Sequence, residues 1–66
     1  MAAKYPHVEV PMSGQDGNAF FMISRVRVAL KEAGVPADEI EEFTNEAMSG
    51  DYENVLATIA NTVTIY

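Results

Sequence analysis

The side chains that commonly carry out catalysis are sparse in this sequence. His7 is the only histidine, there is no cysteine, and Ser13, Ser24 and Ser49 stand in none of the contexts that activate a nucleophile. A general base needs an acid or nucleophile beside it, and nothing in the spacing places one next to His7. A single histidine without thiols also excludes a structural zinc site. We therefore expect a protein that is not an enzyme and that uses no cofactor or metal.

A glycine-bracketed segment is the best candidate for binding a small anion. Gly14, Gly17 and Asn18 immediately precede a predicted helix, whose first backbone N–H groups could face a phosphate. The segment lacks the lysine and hydroxyl of a P-loop and the third glycine of a dinucleotide fingerprint, and Asp16 would repel an anion. The residue types favour a strand-to-helix turn in which Asp16 or Asn18 caps the helix. Binding or sequestering an anionic nucleotide stays open as an alternative function.

Acidic side chains are concentrated in the second half of the chain. Seven carboxylates fall within sixteen residues: Asp38, Glu39, Glu41, Glu42, Glu46, Asp51 and Glu53. They are spread along predicted helices and lack the alternating ligands and turn glycine of a calcium loop. Two interpretations remain, a solvated face that aids solubility or a mimic of a phosphate backbone that binds a basic protein. In the second, Glu41, Glu42 and Glu46 are candidate partner-binding residues.

Three of the four basic residues lie on the polar side of the first predicted helix. They are Arg25, Arg27 and Lys31, and the last two are one helical turn apart. These cations could pair with carboxylates of the same chain or contact an acidic surface on a partner. Arg25 and Arg27 are therefore also candidate partner-binding residues.

Four bulky apolar residues stand together at positions 20–23, at the start of the same helix. A helix turns about 100° per residue, so Phe20, Phe21, Met22 and Ile23 cannot all face one core. If Phe20 and Ile23 point inward, Phe21 is left exposed as a candidate interface anchor. The alternative is that the sheet and the other helices cover both sides of this turn.

The hydrophobic pattern predicts a small α+β domain, with elements in the order β-α-α-α-β. Alternation at 7–12 indicates an edge strand, apolar spacing of three and four indicates helices at about 19–33, 37–48 and 52–60, and 62–66 is a β-branched strand. Two terminal strands packed on three helices make residues 1–66 a single domain, with the strand direction left open. The predicted buried positions are Val8, Val10 and Met12, then Ala19, Ile23, Val26, Leu30 and Ala33, then Ile40, Phe43 and Ala47, and finally Tyr52, Val55, Leu56 and Ile59.

The composition limits the classes of partner and the cellular location that we expect. Ten carboxylates against four basic residues give a net charge of −6, which disfavours direct binding to nucleic acid or to anionic lipid. No long apolar run or cysteine framework points to a membrane or to secretion, so a cytoplasmic protein is expected. A single core of this size rarely supplies more than roughly 3–5 kcal/mol, which makes a homodimer the expected state.

The sequence resembles a group of small uncharacterised proteins encoded by bacteriophages, prophages and bacterial genomes. The matching residues are SGQDGNAF at 13–20, RV at 25–26, AL at 29–30, AGV at 33–35, EI at 39–40, Phe43, SGDY at 49–52 and Leu56. They occupy predicted caps, turns and core positions, so the resemblance supports the fold and transfers no catalytic residue. Phe21 and Met22 depart from the pattern, where smaller residues are expected, and this indicates a surface specific to this member.

The resemblance implies a phage or prophage accessory protein that acts by binding a host or phage protein. Its most concrete version is an inhibitor of a host complex with an anti-defence role, such as anti-CRISPR or anti-restriction activity. A structural or assembly component of the phage is a further alternative. The sequence leaves the partner's identity open.

Overall fold

The five elements follow the predicted order, β-α-α-α-β, which confirms the fold class. The computed structural model describes residues 3–11 and 18–66. The elements are β1 (Tyr5–Val10), α1 (Ala19–Glu32), α2 (Ala37–Ala47), α3 (Tyr52–Thr62) and β2 (Val63–Ile65). Each predicted helix end lies within two residues of the observed one. The predicted buried position Met12 lies outside the described residues.

β1 and β2 pair in parallel, which settles the strand direction that the sequence left open. A parallel pair needs a long crossover connection, and the three helices provide it. The register pairs Tyr5 with Val63, Glu9 with Thr64 and Val10 with Ile65, so the ladder is irregular between Tyr5 and Glu9. Pro6 lies in this irregular stretch and has no N–H to donate. The Thr64 hydroxyl donates to the Pro6 carbonyl at 2.8 Å, which keeps the strands joined there.

Capping residues hold both ends of α1 and the start of α3. Asn18 and Asp51 are the N-caps of α1 and α3, and their side chains accept hydrogen bonds from the backbone N–H groups of Phe21 and Asn54, both at 3.0 Å. Gly34 follows α1 with a φ of +87°, the left-handed conformation that favours glycine after a helix. Of the two cap candidates that the sequence offered for α1, Asp16 and Asn18, the observed cap is Asn18.

The core is formed by the inner face of the sheet and one face of each helix. Its largest fully buried side chains are Val10, Val26, Leu30, Ile59 and Val63. The other buried apolar residues are Val8, Met22, Ile23, Ile40, Phe43, Ala47 and Val55. Most of the predicted buried positions are therefore confirmed. Ala33 was wrongly placed in the core, because α1 ends at Glu32 and Ala33 is an exposed cap residue.

The buried face of α3 differs from the predicted one. Tyr52 and Leu56 were expected in the core but are exposed, and Thr58 and Thr62 are buried in their place. The Thr62 hydroxyl donates to the Thr58 carbonyl at 2.7 Å, so its polar atom is satisfied inside its own helix. The core face is thus rotated around α3 toward the threonines, which turns the predicted apolar stripe partly to solvent.

A polar contact fastens the start of β1 to α2. The Tyr5 hydroxyl donates a hydrogen bond to the Glu39 carboxylate, and the Lys4 ammonium lies 3.7 Å from the same carboxylate. The hydrogen bond to Glu39, together with partial burial and the nearby charges of Glu42 and Asp38, raises the pKa of Tyr5 to about 12. The neutral phenol is therefore the form that the fold favours.

Tyr5→Phe should lower the free energy of unfolding at neutral pH. It should also remove the tyrosine ionisation that occurs at the highest pH. Hydrogen bonds to charged groups contribute about 1.5–3 kcal/mol when buried, and partial exposure reduces this one to about 1 kcal/mol. Because the folded-state pKa is raised, the contribution is present below the ordinary tyrosine pKa near 10 and is lost as pH rises toward about 12. Urea unfolding at pH 7 and ultraviolet titration of both proteins measure the two effects. Identical titration curves, after allowance for one fewer tyrosine, would contradict the contact.

Candidate protein-interaction surface

An exposed apolar surface gathers side chains from the ends of all three helices. Phe20, Met48 and Tyr52 are 69%, 49% and 43% exposed, at the start of α1, the end of α2 and the start of α3. The shallow groove between them is lined by Ala19, Phe20, Ile23, Met48, Gly50, Asp51, Tyr52 and Val55. We call Phe20, Met48 and Tyr52, with this groove, the three-helix patch. Aromatic and methionine side chains grouped on a surface are typical of protein interfaces.

The turn between α2 and α3 holds two members of the three-helix patch close together. The Asn54 side-chain amide donates to the Glu46 carbonyl at 2.8 Å, which ties α3 to the last turn of α2. The Ser49 hydroxyl donates to the same carbonyl at 2.7 Å. A Cβ at Gly50 would lie 3.0 Å from the Asn54 Cβ, so only glycine fits this turn without a shift. The patch is therefore built on a hydrogen-bonded turn.

Acidic side chains border the three-helix patch. Asp51 lines its groove, and the exposed side chains of Glu46 and Glu53 stand two residues before Met48 and one after Tyr52. Among the residues that the structure describes, neither salt bridge involves these three carboxylates. The cations lie elsewhere, at Lys4 just before β1 and along α1. The patch thus combines an apolar centre with a negative border.

Phe21 and Arg25 lie on the outward side of α1, away from the lining of the three-helix patch. Phe21 is 47% exposed, which agrees with the prediction for this residue, and the Arg25 guanidinium lies over its ring at 5.4 Å from the centroid. Their neighbours in a second shallow groove are Ser24 and Val28. This groove belongs to a separate surface.

The other predicted partner-binding residues are divided between an internal contact and free carboxylates. Arg27 and Glu41 form a salt bridge with 3.3 Å between guanidinium nitrogen and carboxylate oxygen, joining α1 to α2. This is the within-chain pairing that the sequence left as one of two options. Glu42 and Glu46 are exposed, and no salt bridge holds them within residues 3–11 and 18–66. Of the three candidate carboxylates, these two remain available to a partner.

Phe20 does not face the core. The interpretation that left Phe21 exposed supposed that Phe20 and Ile23 both point inward. Ile23 is buried, but Phe20 is the most exposed large apolar residue described, and Met22 is buried in its place. Phe20 lies about 120° around the helix from Val26, the centre of the buried face, whereas Met22 lies only about 40° from it. The sequence contained this signal, because the buried positions Val26 and Leu30 already fix the direction of the core.

Of the three candidate residues in the anion loop, only Asn18 is among the described residues. The Asn18 side chain caps α1, and Gly14 and Gly17 lie outside the described residues. Anion binding by this segment therefore stays a prediction.

No group of three His, Cys, Asp or Glu side chains in residues 3–11 and 18–66 could hold a metal ion. None of the described helices has the length and hydropathy needed to cross a membrane. Comparison with family models, with curated proteins and with solved structures finds no match to this chain.

Proposed function

We propose that this protein is a protein-binding module whose three-helix patch captures an apolar segment of a positively charged partner. The observation that carries the proposal is the grouping of Phe20, Met48 and Tyr52 on the surface, each more than two fifths exposed, around one groove. Burying such side chains against a partner removes apolar surface from water. Aromatic residues at the centre of an interface commonly contribute most of its affinity.

The charge of the partner follows from the border of the patch. Asp51 lines the groove, Glu46 and Glu53 stand within two residues of Met48 and Tyr52 in the chain, and the whole chain carries a net charge of −6. A basic segment would be steered toward such a surface and would associate faster at low salt. A partner of the same sign would be repelled. The proposal therefore specifies a basic partner surface with at least one apolar anchor.

The biological role that we propose rests on the resemblance to phage and prophage proteins. In that setting the partner would be a host protein that handles nucleic acid, since such proteins have basic surfaces. Occupying that surface would inhibit the host complex, and anti-defence activity is the concrete form. A second copy of the chain is the other expected partner, and it would use a different face of the molecule.

A paired capture experiment tests the proposal. Wild-type protein, Phe20→Ser with Tyr52→Ser, and the control Ile65→Thr are each captured from bacterial lysate through an N-terminal tag, and the retained proteins are quantified by mass spectrometry. The tag is placed there because the backbone N–H of Tyr66 donates to the Val10 carbonyl, so the C-terminus is part of the sheet. Ile65 is exposed on β2, remote in sequence from the patch.

We expect one host protein with a basic surface to be retained by the wild type and by Ile65→Thr, and to be lost from the patch variant. Retention should also fall with rising salt. Equal retention by all three proteins would contradict the role of the patch, and recovery of the bait alone from every lysate would contradict the proposed function.

A further inference from the structure

The outward side of α1 carries a seven-residue repeat that the fold leaves uncovered. Phe21, Ser24, Val28 and Lys31 follow one another at spacings of three, four and three, the positions of a helix-pairing seam. Phe21 and Val28 are 47% and 56% exposed, and Ser24 and Lys31 are also exposed. No described element packs over this stripe. We call these four residues the α1 seam.

We propose that a second copy of this chain packs on the α1 seam, with the two α1 helices parallel and in register. Each seam residue then meets its own counterpart, so that the two Phe21 rings pack together and the two Val28 side chains pack together. The small Ser24 lies between them in the shallow groove that Phe21 and Val28 help to line, and it lets the helices approach closely. The two Lys31 ammonium groups lie at the exposed end of the seam, where their long side chains diverge into water.

Charges beside the seam favour the parallel order. Arg27 and Glu32 flank the seam on opposite sides and are five residues apart, the spacing at which charges pair between parallel helices. Arg27 of one copy therefore lies beside Glu32 of the other, and the symmetry makes this pair twice. Within one chain the two residues are about 140° apart around the helix, which prevents them from pairing with each other. Glu32 is exposed and takes part in neither of the salt bridges described.

An antiparallel pair over the same seam would bring like charges together. The register that aligns all four seam residues places Ser24 opposite Val28 and puts the symmetry axis near residue 26. Arg25 would then lie close to its own counterpart, and Arg27 close to its own, on the two sides of the axis. These two like-charge contacts replace both opposite-charge pairs of the parallel dimer. The parallel order is therefore the one that we propose.

The length of the seam sets the affinity that we expect for the dimer. α1 has 14 residues and is therefore about 21 Å long, so two such helices make an interface at the low end of the range, below about 1,200 Å². We expect reversible dimers with a dissociation constant in the micromolar range. None of the four seam residues belongs to the three-helix patch.

Charge reversals test the pairing directly. Glu32→Lys places a second cation beside Arg27 in the dimer, and Arg27→Glu places a second carboxylate beside Glu32, so each variant alone should dimerise about tenfold more weakly than wild type. A mixture of the two variants restores both opposite-charge pairs and should form a heterodimer. Sedimentation equilibrium over a concentration series measures these masses against the 7.2 kDa chain. Circular dichroism checks that each variant is folded, since Arg27→Glu also removes the salt bridge to Glu41.

A disulfide tests the parallel order separately, because the chain contains no cysteine. Ser24→Cys places the two new thiols opposite each other at the centre of a parallel seam, within the distance that a disulfide bridges. Mild oxidation should therefore convert most of this variant to a covalent dimer. Leu56→Cys on α3, also at an exposed position, is the control and should cross-link slowly.

Four results would overturn the proposal. Wild-type protein that stays at 7.2 kDa up to millimolar concentration would show that no such dimer forms. Dimers that are insensitive to both charge reversals would use another face. Ser24→Cys that cross-links no faster than Leu56→Cys, or reversals that are not rescued by mixing, would contradict the parallel register.

Discussion

Leu30→Ala should leave a large fraction of this protein unfolded at room temperature. Leu30 is fully buried on α1 and belongs to the cluster that joins the sheet to the helices. Truncating a buried leucine costs about 2–5 kcal/mol, because apolar contacts are lost and a cavity remains. A single core in a chain of this size supplies only roughly 3–5 kcal/mol in total. The loss is therefore comparable with the whole stability of the domain.

Far-ultraviolet circular dichroism and thermal unfolding measure this effect. Val28→Ala, two residues earlier on the same helix, is the matched control because Val28 is more than half exposed. Its stability should stay within about 0.5 kcal/mol of the wild type. Both are measured at low concentration, where the dimer does not contribute. A cooperative unfolding transition of Leu30→Ala with the same midpoint temperature as the wild type would contradict the assignment of Leu30 to the core.

Phe20→Ser combined with Tyr52→Ser should lower affinity for the partner at least about hundredfold and leave the fold intact. Anchor residues at the centre of an interface commonly cost about 2 kcal/mol or more each when truncated, and two together exceed a factor of about 100 even with incomplete additivity. Both side chains are exposed in the isolated protein and neither belongs to the buried cluster, so their removal takes little from the core. Titration calorimetry with the purified partner measures the affinity.

The control for this pair is Ile65→Thr, which replaces one exposed β-branched residue of β2 with another. Its affinity should stay within about threefold of the wild type, a change of less than about 0.7 kcal/mol. A patch variant that binds as tightly as this control would show that the partner uses a different surface.

Much of the fold could be predicted from the sequence because local chemistry and apolar spacing agree. Asn18, Gly34 and Asp51 mark helix ends, and the spacing of Ile23, Val26 and Leu30 identifies the buried face of α1. Each of these signals involves residues only a few positions apart. Interactions between residues so close in the sequence do not depend on how the rest of the chain folds.

The exposed surface was harder to predict because it depends on how the helices are rotated against one another. A buried threonine whose hydroxyl bonds to its own helix, such as Thr62, is indistinguishable in a sequence from one on the surface. A pattern that treats Thr58 and Thr62 as surface residues places Tyr52 and Leu56 on the buried face of α3, whereas the structure exposes them. The grouping of Phe20 with Met48 and Tyr52 also depends on three helix ends meeting, which no local pattern encodes.

Photo-crosslinking from position 20 in host cells tests the central claim, that the three-helix patch binds a protein, most directly. Benzoylphenylalanine replaces Phe20 in one variant and the exposed His7 of β1 in another, and adducts are identified after ultraviolet irradiation. We predict one discrete adduct with a basic host protein from position 20 and little from position 7. No adduct from position 20, or the same adducts in equal yield from both positions, would contradict the account.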